Sequence, residues 1–378
     1  MKINQRKSFI CGIKSTSLSQ NEYLFIKKNK PWGVILFQRN IKNINQVVNL
    51  TKSIKNIFKD PFYPILIDEE GGRVSRLKNI VDNSIFTGKS FGDLYKKNRK
   101  KFYLYYKVYV DQISYVLNLI GVNINTVPVL DIRRNFSHKI ISDRAYSKEK
   151  KIINKIGNIT IKLFNQNFIG TVIKHIPGHG MSKKDTHLNL PYIKSKIDYL
   201  EKNDFSVFKN KKSMFAMTAH IVFSALDNNN CITHSKKGIR YIRNKIGFKN
   251  LIISDDISMK ALKYSFEENA KKAFISGCNL VLHCNANMKE MSTLARISPK
   301  INKWNLYDSY YEFYTIPTFT NDCNLTKLDN YCLNNKFIYP YKAFINNKNK
   351  KLCNINLICS NYQINKNTIL NINNENII

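Results

Sequence analysis

The chain has 378 residues, 43% of them hydrophobic, which is enough to bury a substantial core. No apolar run reaches the roughly eighteen residues that a membrane-spanning helix needs, so none is expected. The formal charge of +35 ordinarily points to nucleic acid, but Lys, Asn and Ile are used throughout, without an Arg-rich stripe or an RNA-binding aromatic set. A solvated basic surface is the plain reading. Attraction of anionic substrates is a second one.

The N-terminus, Met1 to Ser17, lacks a secretory pattern, because its apolar stretch around Phe9–Ile13 is short and Lys14 interrupts it. A cytoplasmic protein without membrane insertion is expected. The eight cysteines, Cys11, Cys231, Cys278, Cys284, Cys323, Cys332, Cys353 and Cys359, show no paired zinc-ligand spacing. They read as reduced, structural residues.

Short apolar runs recur along the chain, rich in β-branched and aromatic residues. In order they are Ser8–Ile13, Gly33–Phe37, Tyr63–Ile67, Val122–Leu130, Gly170–His175, Met214–His220, Leu251–Ser254 and Asn279–His283. Helical periodicity fills several intervals: Ile44–Phe58, Lys101–Leu119, Lys148–Phe168 and Ser258–Ile275. Eight alternations of strand and helix predict an α/β fold, a (β/α)8 TIM barrel. The expected division is a single catalytic domain over 1–305 and a poorly specified C-terminal extension over 306–378, rich in Asn, Lys and Ile.

Several runs end in polar clusters: Asp68-Glu69-Glu70-Gly71-Gly72-Arg73, Asp131, Lys174-His175, His220 and Asp255-Asp256. In a parallel barrel these strand ends open on one face, so residues distant in sequence converge on one mouth.

Lys174-His175-Ile176-Pro177-Gly178-His179-Gly180 makes a permissive loop whose basic residues can donate to hydroxyls. Downstream, Asp185-Thr186-His187 puts a carboxylate two residues from an imidazole. On extended backbone both face one side, so Asp185 can hold one ring nitrogen of His187. A zinc reading of His175, His179 and His187 is weakened by Pro177 and the glycines, which argue against helical ligand spacing. Asp255 and Asp256 close a buried strand. One is a candidate nucleophile, and Asp256 or Ser258 is a candidate cap for a helix starting near Met259. Asp68, with Arg76 after the Gly-Gly turn, is a candidate grip for sugar hydroxyls. Arg144, in Ser142–Ser147, is another. A surface ion pair is the bland alternative for each.

Together, Asp-Glu-Glu-Gly-Gly-Arg-Val, Lys-His-Ile-Pro-Gly-His-Gly, Asp-Thr-His and Ser-Asp-Asp-Ile-Ser-Met, in this order, resemble glycoside hydrolase family 3. The spacing is most similar to its single-domain bacterial β-N-acetylhexosaminidases of peptidoglycan recycling. The resemblance covers roughly residues 8 to 300. It implies an exo-acting, retaining β-N-acetylglucosaminidase that removes terminal N-acetylglucosamine from anhydro-muropeptides by double displacement. Asp255 is then the nucleophile, and His187, held by Asp185, is the general acid/base in place of the usual second carboxylate. Asp68, Arg76, Arg144, Lys174 and His175 grip the sugar, with His220 lining the pocket and Met259 packing under it. No metal or other cofactor is implied. The partner is a small carbohydrate, with no nucleic acid, and a monomer is expected.

Glu69 departs from the family pattern, standing where Gln is more usual. It either points away or pairs with a nearby arginine. The neighbouring alternatives are a β-N-acetylglucosaminide phosphorylase and a β-glucosidase on the same fold. A basic nucleic-acid-binding protein is the alternative from another class.

Overall fold

The computed structural model describes residues 5–134, 141–182 and 190–301. Among them, eight parallel strands close into a barrel: β1 (Lys7–Gly12), β2 (Pro31–Leu36), β3 (Ile65–Ile67), β4 (Ile124–Asn125), β5 (Gly170–Ile176), β7 (Phe215–Thr218), β9 (Leu251–Asp256) and β10 (Leu280–His283). The barrel shuts where β1 pairs with β10, Phe9 opposite Val281 and Cys11 opposite His283. Each of the eight strand expectations falls on one of these strands. Two further strands, β6 (Tyr192–Ile193) and β8 (Val222–Phe223), form a separate parallel pair beside the barrel. At two residues each, they are too short to leave a periodic signal.

Alternation along the strands sorts side chains to two sides of the wall. One buried cluster, including Ile10, Leu66, Ile124, Val172, Ile253 and Leu282, fills the barrel. Their neighbours Phe9, Ile67, Ile173, Ile252 and Val281 belong to the outer core, with helix residues such as Val47, Leu50, Ile54, Ile153 and Leu294. The lumen is thus a packed plug, and polar strand ends beyond it line a mouth.

The helices are α1 (Gln20–Asn29), α2 (Ile44–Phe58), α3 (Gly88–Lys97), α4 (Arg99–Leu119), α5 (Lys150–Gln166), α6 (Ile197–Lys202), α7 (Lys236–Tyr241), α8 (Phe266–Ser276) and α9 (Met288–Ile297). Short polar caps start several of them. Ser19 and Glu22 form a reciprocal capping box on α1, and Asn43, Ser265 and Asn287 cap α2, α8 and α9. The predicted span Ile44–Phe58 coincides with α2. The one expected at Ser258–Ile275 begins later, at Phe266, capped by Ser265. Asp256 and Ser258 therefore do not cap it; they close a local turn, with the Ser258 N–H donating to Asp256 Oδ1 at 3.1 Å.

No helix among the described residues is long and apolar enough to cross a membrane. Cys11, Cys231, Cys278 and Cys284 are free thiols, the first three buried. The other four cysteines and the whole of the expected extension 306–378 lie outside the described residues.

Candidate active site

Period-two geometry places the site. Asp68 lies two residues beyond Leu66, Thr126 beyond Ile124, Lys174 beyond Val172 and Asp255 beyond Ile253. Each continues its strand's lumenal row into the mouth.

On one side is an ionic cluster. Lys174 is 2% exposed; its ammonium donates to Thr126 Oγ1 at 2.8 Å and Asp68 Oδ1 at 3.0 Å and is ion-paired with Glu70 Oε1 at 2.6 Å. The Thr126 hydroxyl donates in turn to Asp68 Oδ1. Arg144 makes a two-point contact with Glu70, Nε to Oε2 at 2.7 Å and Nη2 to Oε1 at 2.8 Å. Arg76 Nη2 lies 3.4 Å from Asp68 Oδ2, and its guanidinium covers the Phe37 ring, 5.4 Å from the centroid. Burial by itself raises the Asp68 carboxyl, but Lys174, Arg76 and Thr126 outweigh it and hold the group well below the usual range. Glu70 behaves likewise: Arg144 and Lys174 overcome its burial and bring it down to about 2.

Glu69, next in sequence, points the other way. Its Oε2 accepts from the N–H groups of Arg76 (2.7 Å) and Leu77 (3.0 Å) and from Ser75 Oγ (3.2 Å), and Oε1 accepts from Asn83. It thus ties down the turn that carries Arg76, through that residue's backbone rather than its guanidinium. Burial raises its carboxyl beyond what these donors recover.

His175 continues from Lys174 through a cis peptide bond, and the Ile176–Pro177 bond is also cis. Its Nδ1 lies 2.7 Å from Oδ2 of fully buried Asp131, whose Oδ1 accepts from the His179 N–H at 2.6 Å. Asp131 is net lowered: burial raises it, and the His175 charge and hydrogen bond with the His179 contacts prevail. His179 is driven down to about 4 by burial and the adjacent His175, against the carboxylates of Asp131 and Asp255, so it is neutral near pH 7.

Across the mouth, the Asp255 carboxylate accepts from the Asp256 N–H at 2.7 Å. Burial raises its pKa, but His220, His175, that N–H and Lys174 bring the balance below the ordinary value, so Asp255 is ionised. Buried His220 is fixed at both ends. Its Nε2 donates to the Asp256 carbonyl at 3.1 Å, and Nδ1 meets Thr233 Oγ1 at 2.7 Å.

The structure places Asp68, Arg76, Arg144, Lys174, His175 and Asp255 at one mouth of the barrel. Asp185 and His187 lie outside the described residues. No group of three or more His, Cys, Asp or Glu is placed to hold a metal ion among the described residues. Within the motif around Arg144, Asp143 takes the bland role, pairing with Arg73 at 2.7 Å on the surface. Sequence reasoning missed Glu70 and Thr126. Thr126 was accessible, since it extends the alternation of Ile124. Glu70 was accessible by the same alternation, lying two residues beyond Asp68 and before the turn at Gly71 and Gly72, whose φ values are 83° and 59°.

A charged cluster suited to grip hydroxyls, set across a barrel mouth from an ionised carboxylate suited to attack a sugar carbon, is the equipment of a glycoside hydrolase. The chain belongs to glycosyl hydrolase family 3, its residues 4–306 matching the N-terminal domain of that family. A β-hexosaminidase of Nitrosomonas eutropha is 30% identical over 283 residues, spanning 72% of this chain and 79% of that protein. β-Hexosaminidase A of Pseudoalteromonas piscicida is 25% identical over 302 residues, 74% of this chain but only 50% of its own length. The chain thus spans half of that longer relative. The crystal structure of NagZ from Neisseria gonorrhoeae in complex with N-trifluoroacetyl-D-glucosamine superposes with a TM-score of 0.71 at 25% identity, over 82% of this chain and 90% of that one.

Proposed function

We propose that the protein is a retaining, exo-acting β-N-acetylglucosaminidase that releases terminal N-acetylglucosamine from peptidoglycan fragments of the anhydro-muropeptide type. A cytoplasmic location and a monomeric state belong to this reading. The observation that carries it is the position of ionised Asp255 opposite the Asp68–Lys174–Glu70–Arg144 cluster. The β-hexosaminidase names of the relatives and the glucosamine derivative bound by the Neisseria protein support the choice of sugar.

In this mechanism Asp68 accepts sugar hydroxyls. Its Oδ1 already receives Thr126 and Lys174, while Oδ2 has, among the described residues, only the 3.4 Å contact with Arg76, so Oδ2 is the oxygen more open to a further donor. Asp131 takes the Nδ1–H of His175, which directs the Nε2 edge of the ring away from that carboxylate. Asp255 attacks the anomeric carbon as the glycosidic C–O bond breaks. His187 gives a proton to the departing oxygen, leaving a covalent glycosyl-enzyme on Asp255. His187 then takes a proton from water, whose oxygen displaces Asp255 and restores the β configuration.

The test is hydrolysis of p-nitrophenyl β-N-acetylglucosaminide beside p-nitrophenyl β-glucoside, in phosphate and in a phosphate-free buffer. Selective release from the acetamido sugar in both buffers is expected. Turnover of the glucoside alone, or only with phosphate, overturns the reading in favour of a glucosidase or a phosphorylase.

A further inference from the structure

We infer that Glu70 is the positioning residue of the sugar site: it aligns Arg144 with Lys174 and is not itself a sugar ligand. The inference rests on the sugar-binding reading above. Both Glu70 oxygens are committed, Oε2 to Arg144 Nε and Oε1 to Arg144 Nη2 and Lys174 Nζ, and the side chain is 4% exposed. At that exposure little of this carboxylate is left for a hydroxyl entering the mouth to meet.

The two cations come from separate parts of the barrel, Lys174 from β5 and Arg144 from the single 3-10 turn Ser142–Arg144. Drawing two cations together in a desolvated wall is unfavourable unless an anion lies between them. Among the described residues, Glu70 is the carboxylate placed against both. The two-point contact sets the plane of the guanidinium as well as its distance, because a planar fork facing a planar carboxylate has one good orientation.

Lys174 shows the same dependence. The ammonium donates to Thr126 and Asp68 and is held against Glu70 as an ion pair. Glu70 provides the shortest of these contacts at 2.6 Å, and with it removed the ammonium leans on Asp68, the oxygen-bearing group assigned to the sugar. Glu70 is itself held from behind. Its N–H donates to the Val74 carbonyl at 3.0 Å across a turn in which Gly71 and Gly72 adopt positive φ, and a Cβ on Gly71 would lie 2.2 Å from the Phe86 carbonyl oxygen. The Gly-Gly pair is therefore what lets the chain fold back and present Glu70 to β5.

The experiment is a double-mutant cycle of Glu70→Gln and Arg144→Ala, run on whichever p-nitrophenyl glycoside the wild type cleaves, with the thermal midpoint recorded for each variant. Each single change is expected to raise KM by about tenfold or more with a smaller change in kcat, and the double variant to resemble the worse single one within about twofold. Effects that multiply, or an unchanged KM in Glu70→Gln, overturn the inference. If Glu70→Gln does not fold, Glu70→Asp replaces it: the charge is kept, but a side chain one methylene shorter cannot span both cations, and a wild-type KM again overturns the proposal. A crystal structure of the folded Glu70 variant separates this inference from the choice of substrate. Arg144 displaced from its wild-type orientation is expected even if no glycoside in the panel is cleaved, and an unmoved Arg144 and Lys174 refute the positioning role.

Discussion

Asp255 and Asp256 are consecutive on β9, yet their carboxylates face opposite sides of the strand and do different work. Asp255 continues the lumenal row of Leu251 and Ile253. Asp256 continues the outer row of Ile252, and its oxygens accept from the Ser258 N–H (3.1 Å), Ser258 Oγ (2.8 Å and 2.9 Å) and the Cys284 N–H (3.2 Å). Asp255→Asn is expected to lower kcat by about 10³-fold or more while leaving the unfolding midpoint near wild type, as for loss of a nucleophile. Asp256→Asn is expected to cost about 1–2 kcal/mol of stability and to spare most of the turnover. Steady-state assays and urea unfolding distinguish the pair. An active Asp255→Asn beside an inactive Asp256→Asn would exchange their roles.

Glu69 and Glu70 are another adjacent pair with opposite electrostatics, and they separate by pH. The folded-state pKa of Glu70 is depressed to about 2, so its stabilisation is present above the unfolded value and is lost as pH falls toward 2. Glu69 is raised, so the unfolded chain gives up its proton first and stability declines as pH climbs from the unfolded value through the folded one. Glu69→Gln removes that penalty. The amide oxygen can keep the three donors now on Oε2, and Asn83 can turn toward the new N–H₂ its Oδ1, which has no hydrogen-bond partner among the described residues. The variant is expected to be more stable than wild type at pH 7 by about 1 kcal/mol and to lose the difference near pH 4. Thermal melts across that range check it, and a less stable variant at pH 7 would mean that the carboxylate charge itself holds the turn.

What was legible in the sequence follows from which features have a period. The eight barrel strands and α2 were readable because β-branched runs and a 3.6-residue repeat leave local signatures. Asp68, Lys174 and Asp255 were readable because each ends such a run. The start of α8 was not: Asp256 and Ser258 offer capping chemistry as good as that of Ser265, and the choice is made by Cys284, just past the end of β10, whose N–H takes the Asp256 carboxylate. The opposite facing of Glu69 and Glu70 follows the alternation from Asp68, but their partners were hidden, because Arg76, Asn83 and Arg144 reach them from loop and turn positions that carry no period.

Asp131 accepts from three donors, the His175 Nδ1–H on Oδ2, the His179 N–H on Oδ1 and the His175 backbone N–H at 3.3 Å from each oxygen. An asparagine offers a single acceptor oxygen, so Asp131→Asn leaves one of these buried donors facing an N–H₂ group, at about 1–3 kcal/mol. If the amide turns its nitrogen to His175, Nδ1 must become the acceptor and the ring proton sits on Nε2, the edge that points away from residue 131. The expected result is a rise in KM of about ten- to a hundredfold together with a lower melting temperature. Loss of stability with an unaltered KM would restrict Asp131 to holding the loop.

The assignment of His187 makes the sharpest kinetic demand. A general acid is needed in proportion to how poor the leaving group is, whereas a general base is needed for every substrate once the glycosyl-enzyme has formed. His187→Ala is therefore expected to slow hydrolysis of an N-acetylglucosaminyl disaccharide by about 10²–10⁴-fold. The first step with a dinitrophenyl glycoside should change little. With that good leaving group the second step becomes limiting, so a pre-steady-state burst of dinitrophenolate should appear in the variant and be small in the wild type. Azide, which attacks without a base, should then restore turnover and yield a β-glycosyl azide, the configuration produced by two inversions at the same carbon. Equal loss on both substrates, without a burst and without rescue, would remove His187 from the chemistry and require another proton donor at the mouth. An α-glycosyl azide would instead overturn double displacement through Asp255.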